Sequence, residues 1–258
     1  MVAIEATSIT KKFKNLVVVR NLSFSIPENK IFGILGPNGS GKTTTINMLT
    51  GLLIPDSGQI QILGNSTSKD MEKIRQSMAL EPQSPSLYES LTVYENLEFF
   101  GGLYTENMQW LGKQISRILS VLDLSEKKNV KVSDLSSGYQ KRCSIGCALI
   151  ADPKILIMDE PFANIDTNTS MLVKNFLKSH HDITIVLTTH SIEEAEELCD
   201  YVLLINKGEK VLLGTPKQIT EYYSKYFGEQ IIIEFDSSIN ISEINRHLIS
   251  AGFNIRNL

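Results

Sequence analysis

Apolar residues recur with two different periods, and the switch between them divides the chain. Short apolar runs bounded by turn residues predict strands at LVVV (16–19), KIFGILG (30–36), GQIQILG (58–64), KILIMD (154–159), ITIVLTT (183–189) and YVLLI (201–205). The runs at 31–35, 155–158 and 183–187 are apolar on both faces, as central strands of a covered parallel sheet are. The segment YVLLINKGEKVLLG predicts a hairpin turning at Lys207–Gly208. Strands alternating with helical patterns imply an α/β layered core.

From about residue 87 to 150 the strand pattern stops. LTVYENLEFFGGLY and NMQWLGKQISRILSVLDL follow the helical period, and Thr92 with Glu95 has capping-box spacing. A helical insertion into the core is expected here. From Pro216 the pattern changes again, to a helix (PKQITEYYSKYF), a strand (QIIIEF), a helix (ISEINRHLISA) and a last strand (FNIRN). The expected organisation is a main domain over 1–220 and a small α/β appendage over 221–258.

Composition narrows the function classes. A chain of 258 residues with 42% hydrophobic content can bury a sizeable core. The net charge of −4 leaves no cation excess to neutralise phosphates, so a dedicated nucleic-acid binder is not expected. Three cysteines, Cys143, Cys147 and Cys199, make no disulfide framework and suit a reducing compartment. Glu5 interrupts the start of the chain, and no stretch approaches the roughly 18 apolar residues of a membrane span. The expectation is a soluble chain that reaches a membrane through a partner.

The chemistry begins at GPNGSGKTT (36–44), between an apolar strand and a helical pattern. This strand–loop–helix context is the one a G-x-x-x-x-G-K-T phosphate loop requires. Gly36, Gly39 and Gly41 let the loop wrap with its N–H groups inward as a nest for phosphate oxygens, with Pro37, Asn38, Ser40 and Thr44 completing it. Lys42 is placed to reach the β- and γ-phosphates, and the Thr43 hydroxyl to bind Mg²⁺. KILIMDE carries an apolar strand into Asp159 and Glu160. Beside a phosphate loop, Asp159 would hold Mg²⁺ through water and Glu160 would polarise an attacking water; otherwise both are an ordinary solvated strand end. At DLSSGYQKR (134–142), small residues bare the backbone N–H groups of a helix start, which favours an anion.

In order, GPNGSGKTT, EPQ (81–83), LSSGY (135–139), ILIMDEP (155–161), FANID (162–166) and TTHSIEEAEELCD (188–200) resemble the motifs of ATP-binding-cassette ATPases. The resemblance covers about residues 2 to 220. LYESLTVYENLEFFGGLY and GTPKQI look most like the ATPase subunits of bacterial drug and peptide-antibiotic exporters. It implies a P-loop α/β core with an N-terminal antiparallel β region and a helical insertion, driving a transmembrane permease from the cytoplasmic face. Phe13 would stack on adenine; alternatively it is a buried strand-end aromatic. Gln83 would bind Mg²⁺, Glu160 would be the general base, and His190 would contact the γ-phosphate, with Ser191 and Glu194 capping the next helix. Ser136 and the N–H groups of Ser137 and Gly138 would complete an ATP site on a second subunit, a copy or a related ATPase. Asp166 would lie at that dimer interface. Ser137 and Tyr139 depart from the usual LSGGQ, as do Phe162 and Asn164 from the usual following loop.

Tyr88, Leu91, Tyr94 and Phe99 suggest an aromatic-rimmed groove for the permease, linked to Mg²⁺ through Gln83. Cys143 and Cys147 are a metal pair or two packing residues. His180 and His181 read as a solvated helix end, and EEAEEL as a solvated helix face. A DNA-acting clamp would need a long coiled coil between the phosphate loop and strand 154–159, and the intervening stretch is too short for one. A soluble ATPase of macromolecular assembly remains the alternative.

Overall fold

The computed structural model describes residues 1–180 and 182–227. The appendage strands and helix expected after 227, and His181, lie outside the described residues. Residues Met1–Glu221 form one compact unit; of the second, Tyr222–Leu258, only the helix end is described.

Two long strands, β1 (Val2–Phe13) and β2 (Leu16–Pro27), lead into β3 (Ile31–Leu35) and helix α1 (Lys42–Leu49). Strands β4 (Ser57–Ile62) and β5 (Asn65–Ser66), short helix α2 (Met71–Arg75) and β6 (Met78–Glu81) follow. Helices α3 (Val93–Gly102), α4 (Met108–Val121) and α5 (Ser137–Leu149) come next. The chain then runs through β7 (Ile155–Met158), α6 (Thr167–Ser179), β8 (Thr184–Thr189), α7 (Ile192–Leu198), β9 (Tyr201–Asn206), β10 (Glu209–Gly214) and α8 (Pro216–Phe227).

One sheet has the order β10-β9-β3-β8-β7-β6, parallel except for β10 at its edge. The other, β2-β1-β4-β5, is antiparallel. Ile4, Ile9, Leu22, Ile26, Ile60 and Ile62 of the antiparallel sheet share one core with Ile34, Ile157, Val186 and Leu203 of the parallel sheet. Fully burying each such side chain contributes about 1.5–3 kcal/mol. Phe24 and Phe32 stack across the two sheets with centroids 6.0 Å apart.

The α/β architecture agrees with the sequence expectation, but β2 extends to Pro27, and β1, β5 and β6 have no predicted run. β1 belongs to the expected N-terminal antiparallel region but shows no clean run of its own, because register shifts and Ser8 at φ 51° break its alternation. β6 spans only Met78–Glu81, too short to show a period, and gains its ladder from β7.

The Thr92 capping box forms: Glu95 N–H donates to Thr92 Oγ1 at 3.2 Å and Thr92 N–H to Glu95 Oε2 at 2.8 Å. Thr92→Ala is expected to cost about 1 kcal/mol, read as a lower denaturant midpoint at unchanged slope.

Three polar features agree with an expectation, differ from one or resolve an alternative. The EEAEEL run is a solvated face, with Glu193, Glu196 and Glu197 exposed; on it Glu197 pairs with Lys174 at 2.7 Å and Lys178 at 3.0 Å, joining α7 to α6, and Glu196 bonds Thr220. His180 caps α6 with its Nδ1 2.8 Å from the Phe176 carbonyl and its ring 4.1 Å from the Phe176 ring, so it is not simply solvated. Cys143 is buried and Cys147 half-buried on one α5 face, and no His/Cys/Asp/Glu group among the described residues could hold a metal. The cysteines pack. No helix among the described residues is long and apolar enough to cross a membrane.

Candidate functional site

The loop from β3 to α1 is shaped by what surrounds it. Gly41, the N-cap of α1, has φ 103°, and a Cβ there would sit 2.9 Å from the Val18 carbonyl of β2. Only glycine meets both conditions. The β9–β10 hairpin buttresses the loop: Gly208 N–H donates to the Ser40 carbonyl at 2.9 Å, and Arg20 N–H to the Gly208 carbonyl at 2.9 Å. Pro37, Asn38, Gly39 and Thr43 are exposed, Thr44 is half-buried, and buried Ser40 has an Oγ without a partner. Lys42 is buried, its ammonium donating to the carbonyls of Gly36 at 2.9 Å and Pro37 at 3.4 Å.

Glu160 is the hub of the site. Its Oε1 lies 3.3 Å from Lys42 Nζ and 3.8 Å from His190 Nδ1, and its Oε2 accepts from Gln83 Nε2 at 3.2 Å. Three segments far apart in sequence therefore converge on one carboxylate. Glu160 sits at φ 45°, a left-handed conformation that costs a non-glycine residue about 1–2 kcal/mol. Thr188, at the end of β8, holds it: its Oγ1 accepts the Glu160 N–H at 2.8 Å and donates to Asp159 Oδ1 at 2.5 Å. Sequence reasoning missed Thr188, because a threonine inside a strand run gives no signal of its partner.

His190 is presented by a relay rather than a simple capping box. Ser191 Oγ accepts from Glu194 N–H at 3.1 Å, while the Glu194 carboxylate turns to the Thr189 hydroxyl. Thr189 Oγ1 in turn accepts from Ser191 N–H at 3.0 Å. Glu160, Phe162, Asn164, His190 and Glu194 line a pocket of about 300 Å³.

Ser136, Ser137, Gly138 and Asp166 form a separate cluster. Among the described residues, no hydrogen bond or ion pair joins them to Lys42 or Glu160. Ser136 is the N-cap of α5, yet its side chain makes no cap bond; Ser136 and Ser137 are exposed. A Cβ on Gly138 would lie 2.6 Å from Asp166 Oδ2 and 2.4 Å from Thr169 Oγ1, so the turn packs on α6 only without a side chain. Asp166 caps α6, and the Thr169 N–H, then its hydroxyl, hold the carboxyl below its usual pKa. The Tyr139 ring faces the Arg142 guanidinium at 4.0 Å. Phe13, 45% exposed, is not a buried strand-end aromatic; the Lys11 ammonium lies 5.9 Å from its ring centre.

The Thr43 hydroxyl, Gln83 carbonyl and Asp159 carboxylate are oxygen donors, the type a hard divalent cation takes alongside water and phosphate. Gln83 spends its nitrogen on Glu160, with no hydrogen bond to its oxygen among the described residues, and Asp159 is buried with the Thr188 hydroxyl on Oδ1.

Behind this site lies a charged pair that the sequence did not reveal. Glu81 is fully buried, and Lys141 Nζ lies 2.8 Å and 2.9 Å from its two oxygens. Burial pushes the Glu81 carboxyl up to about 7, against the pull of Lys141 and Ser144. Its one sequence trace is a glutamate closing the short apolar run MALE.

The predicted aromatic rim also needs correction. Tyr88 and Phe99 pack edge-on at 4.7 Å and both approach Phe100, at 6.0 Å and 5.4 Å, so they border rather than line the groove next to Pro82, and Leu91 and Tyr94 do not line it. That groove, about 340 Å³, is lined by Leu52, Pro82, Leu87, Phe100, Leu103 and Tyr104 among others. The reason is helix phase: Phe100, Leu103 and Tyr104 share one face, and Phe99 lies about 100° around the helix from Phe100.

The sequence profile of the ABC transporter family matches residues 19–163. Linearmycin resistance ATP-binding protein LnrL of Bacillus subtilis is 36% identical over 239 residues, 92% of this chain and 76% of that protein. Nod factor export ATP-binding protein I of a Rhizobium species is 36% identical over 233 residues, 90% of this chain and 76% of that one. A dimeric ATP-binding cassette in a post-hydrolysis state, bound to ADP and Pi, matches with a TM-score of 0.76 and 26% identity over 83% of this chain and 98% of that one.

Proposed function

The chain belongs to the ABC transporter family of ATPases, and from that premise we propose that it energises a separate membrane permease, in export, from the cytoplasmic face. The relatives named for linearmycin resistance and Nod factor export support the direction of travel. The observation that carries the catalytic reading is the convergence of Lys42, Gln83 and His190 on the Glu160 carboxylate.

Each residue then has a task. The backbone N–H groups of residues 38–44 cradle the triphosphate, and Phe13 stacks on adenine. Lys42 exchanges the carbonyls of Gly36 and Pro37 for β- and γ-phosphate oxygens. That exchange draws the ammonium from Glu160 and frees the carboxylate to take a proton from an attacking water. Thr188 keeps Glu160 aimed while this happens, and His190 contacts the γ-phosphate. Thr43, Gln83 and Asp159 would hold Mg²⁺, which would supply charge neutralisation at the phosphates. The rest of the rate comes from positioning and fixed electrostatics.

The exposed start of α5 serves a second subunit, another copy or a related ATPase. Ser136 and the N–H groups of Ser137 and Gly138 meet the γ-phosphate held on that partner, at a helix end that favours anions. Asp166, packed against Gly138, lies at the seam between the subunits. ATP thereby acts as the link that closes the pair.

The permease docks in the groove beside Gln83, where Leu103 and Tyr104 are 67% and 50% exposed. Leu103→Glu is expected to abolish capture of the permease while leaving ATP affinity and melting temperature unchanged. Joint loss of ATP binding and stability would mark Leu103 as core and sink the docking assignment. Affinity capture of the tagged chain from detergent-solubilised membranes tests the wider reading. A multi-helix membrane protein should co-purify; consistent recovery with only a soluble assembly would favour an assembly ATPase.

A further inference from the structure

The Glu81–Lys141 pair has no task in the scheme above, yet it is the most deeply buried ion pair among the described residues: the side chains are 0% and 3% exposed. Lys141 Nζ bridges both carboxylate oxygens, at 2.8 Å and 2.9 Å, and Ser144 Oγ donates to Oε1 at 3.2 Å. The contact therefore has a defined direction and length.

Its place in the chain matters more than its strength. Glu81 ends β6, and its carbonyl accepts the Asp159 N–H at 3.0 Å, so it is tied to the strand end just before Glu160. Two residues later, Gln83 donates to Glu160 Oε2 at 3.2 Å. On the other side, Lys141 lies one turn past Ser137, in the helix whose open end carries Ser136. A single charged contact thus joins the helix start offered to a second subunit with the strand end that carries Gln83 and adjoins Glu160.

We propose that Glu81 and Lys141 are positioning residues for ATP hydrolysis: a strut that fixes the start of α5 relative to Gln83 and Glu160. The inference rests on the reading of this site as an ATPase with a shared nucleotide position. The physical case is one of geometry. Apolar side chains of similar volume can replace a buried ion pair at little or no loss of stability, so stability alone does not account for this one. Apolar contact is also non-directional, whereas a bridged ammonium fixes a distance. A shift of about 1 Å at a reacting centre can lower a rate by about a hundredfold. A strut of fixed length makes the signature helix and the water-activating carboxylate move as one unit when a second subunit closes on the nucleotide.

The test separates positioning from packing in the full-length chain. Glu81→Leu/Lys141→Met keeps volume and removes both charges together. Its melting temperature should match or exceed that of the parent, and its KM for ATP should stay within about threefold, while kcat falls about tenfold or more. In a Glu160→Gln background, ATP should no longer gather the variant into a dimer on size exclusion. A folded double variant with parental kcat overturns the proposal. Glu81→Gln/Lys141→Met is the second variant should the first not fold, since it also removes both charges while the amide oxygen can still accept from the Ser144 hydroxyl; parental kcat in it overturns the proposal equally. A parent chain that neither binds nor hydrolyses ATP would instead sink the reading of the whole site, so the two failures are distinct.

Discussion

Glu160→Gln is expected to bind ATP at least as tightly as the parent, to lose turnover by a factor of about 10² or more, and to accumulate as an ATP-bound dimer. The amide has the shape of the carboxylate and can still meet Gln83, but it cannot take a proton from water. It also removes the anion that holds Lys42 at 3.3 Å, so the ammonium is freer for phosphate. ATP bound across two subunits but not cleaved leaves the pair closed. The measurements are nucleotide affinity, phosphate release and size exclusion with ATP. Lys42→Ala is the contrasting variant, because it removes the phosphate contact and should weaken ATP binding itself. Near-parental turnover in Glu160→Gln would show the assigned base to be wrong.

Complementation between two inactive chains should restore activity. Ser136→Arg fills the exposed N-cap position of α5 but leaves its own phosphate loop untouched; the two clusters share no hydrogen bond or ion pair among the described residues. Lys42→Ala does the reverse. In a mixed dimer, one composite site carries both defects and the other carries neither. An equal mixture that assorts at random, with sites that turn over independently, should recover about a quarter of parental activity, since half the dimers are mixed and each has one good site. Each variant alone should be inactive. Full activity of Ser136→Arg alone would refute the trans role of the signature segment. No recovery in a mixture shown to contain mixed dimers would leave the shared site without support.

The features legible in the sequence are those that neighbouring residues settle among themselves. The apolar runs at 31–35, 155–158 and 183–187 reported strands buried on both faces, because burial on both faces leaves no polar alternation. Thr92 and Glu95 announced a helix start, since the cap closes over three residues. Lys207 and Gly208 announced a hairpin, since both must adopt positive φ, at 48° and 79°. The phosphate loop was legible for the same reason: its nest is built from consecutive N–H groups.

Tertiary structure decided what depends on distant surfaces meeting. Glu160 gains Lys42, Gln83 and His190 only once β3, β6, β7 and β8 lie in a single sheet order. Thr188 became a clamp on Asp159 and Glu160, and Gly208 a brace for the phosphate loop, through contacts spanning 28 to 29 residues in the first case and most of the domain in the second. The buried Glu81–Lys141 contact spans 60 residues, and neither residue's neighbours indicate that it will leave water. Periodicity records which side of an element is apolar, but not which charge waits opposite. A charged side chain far along the chain becomes a partner only when folding removes the water between the two, and that is set by the packing of whole elements, not by the residues on either side.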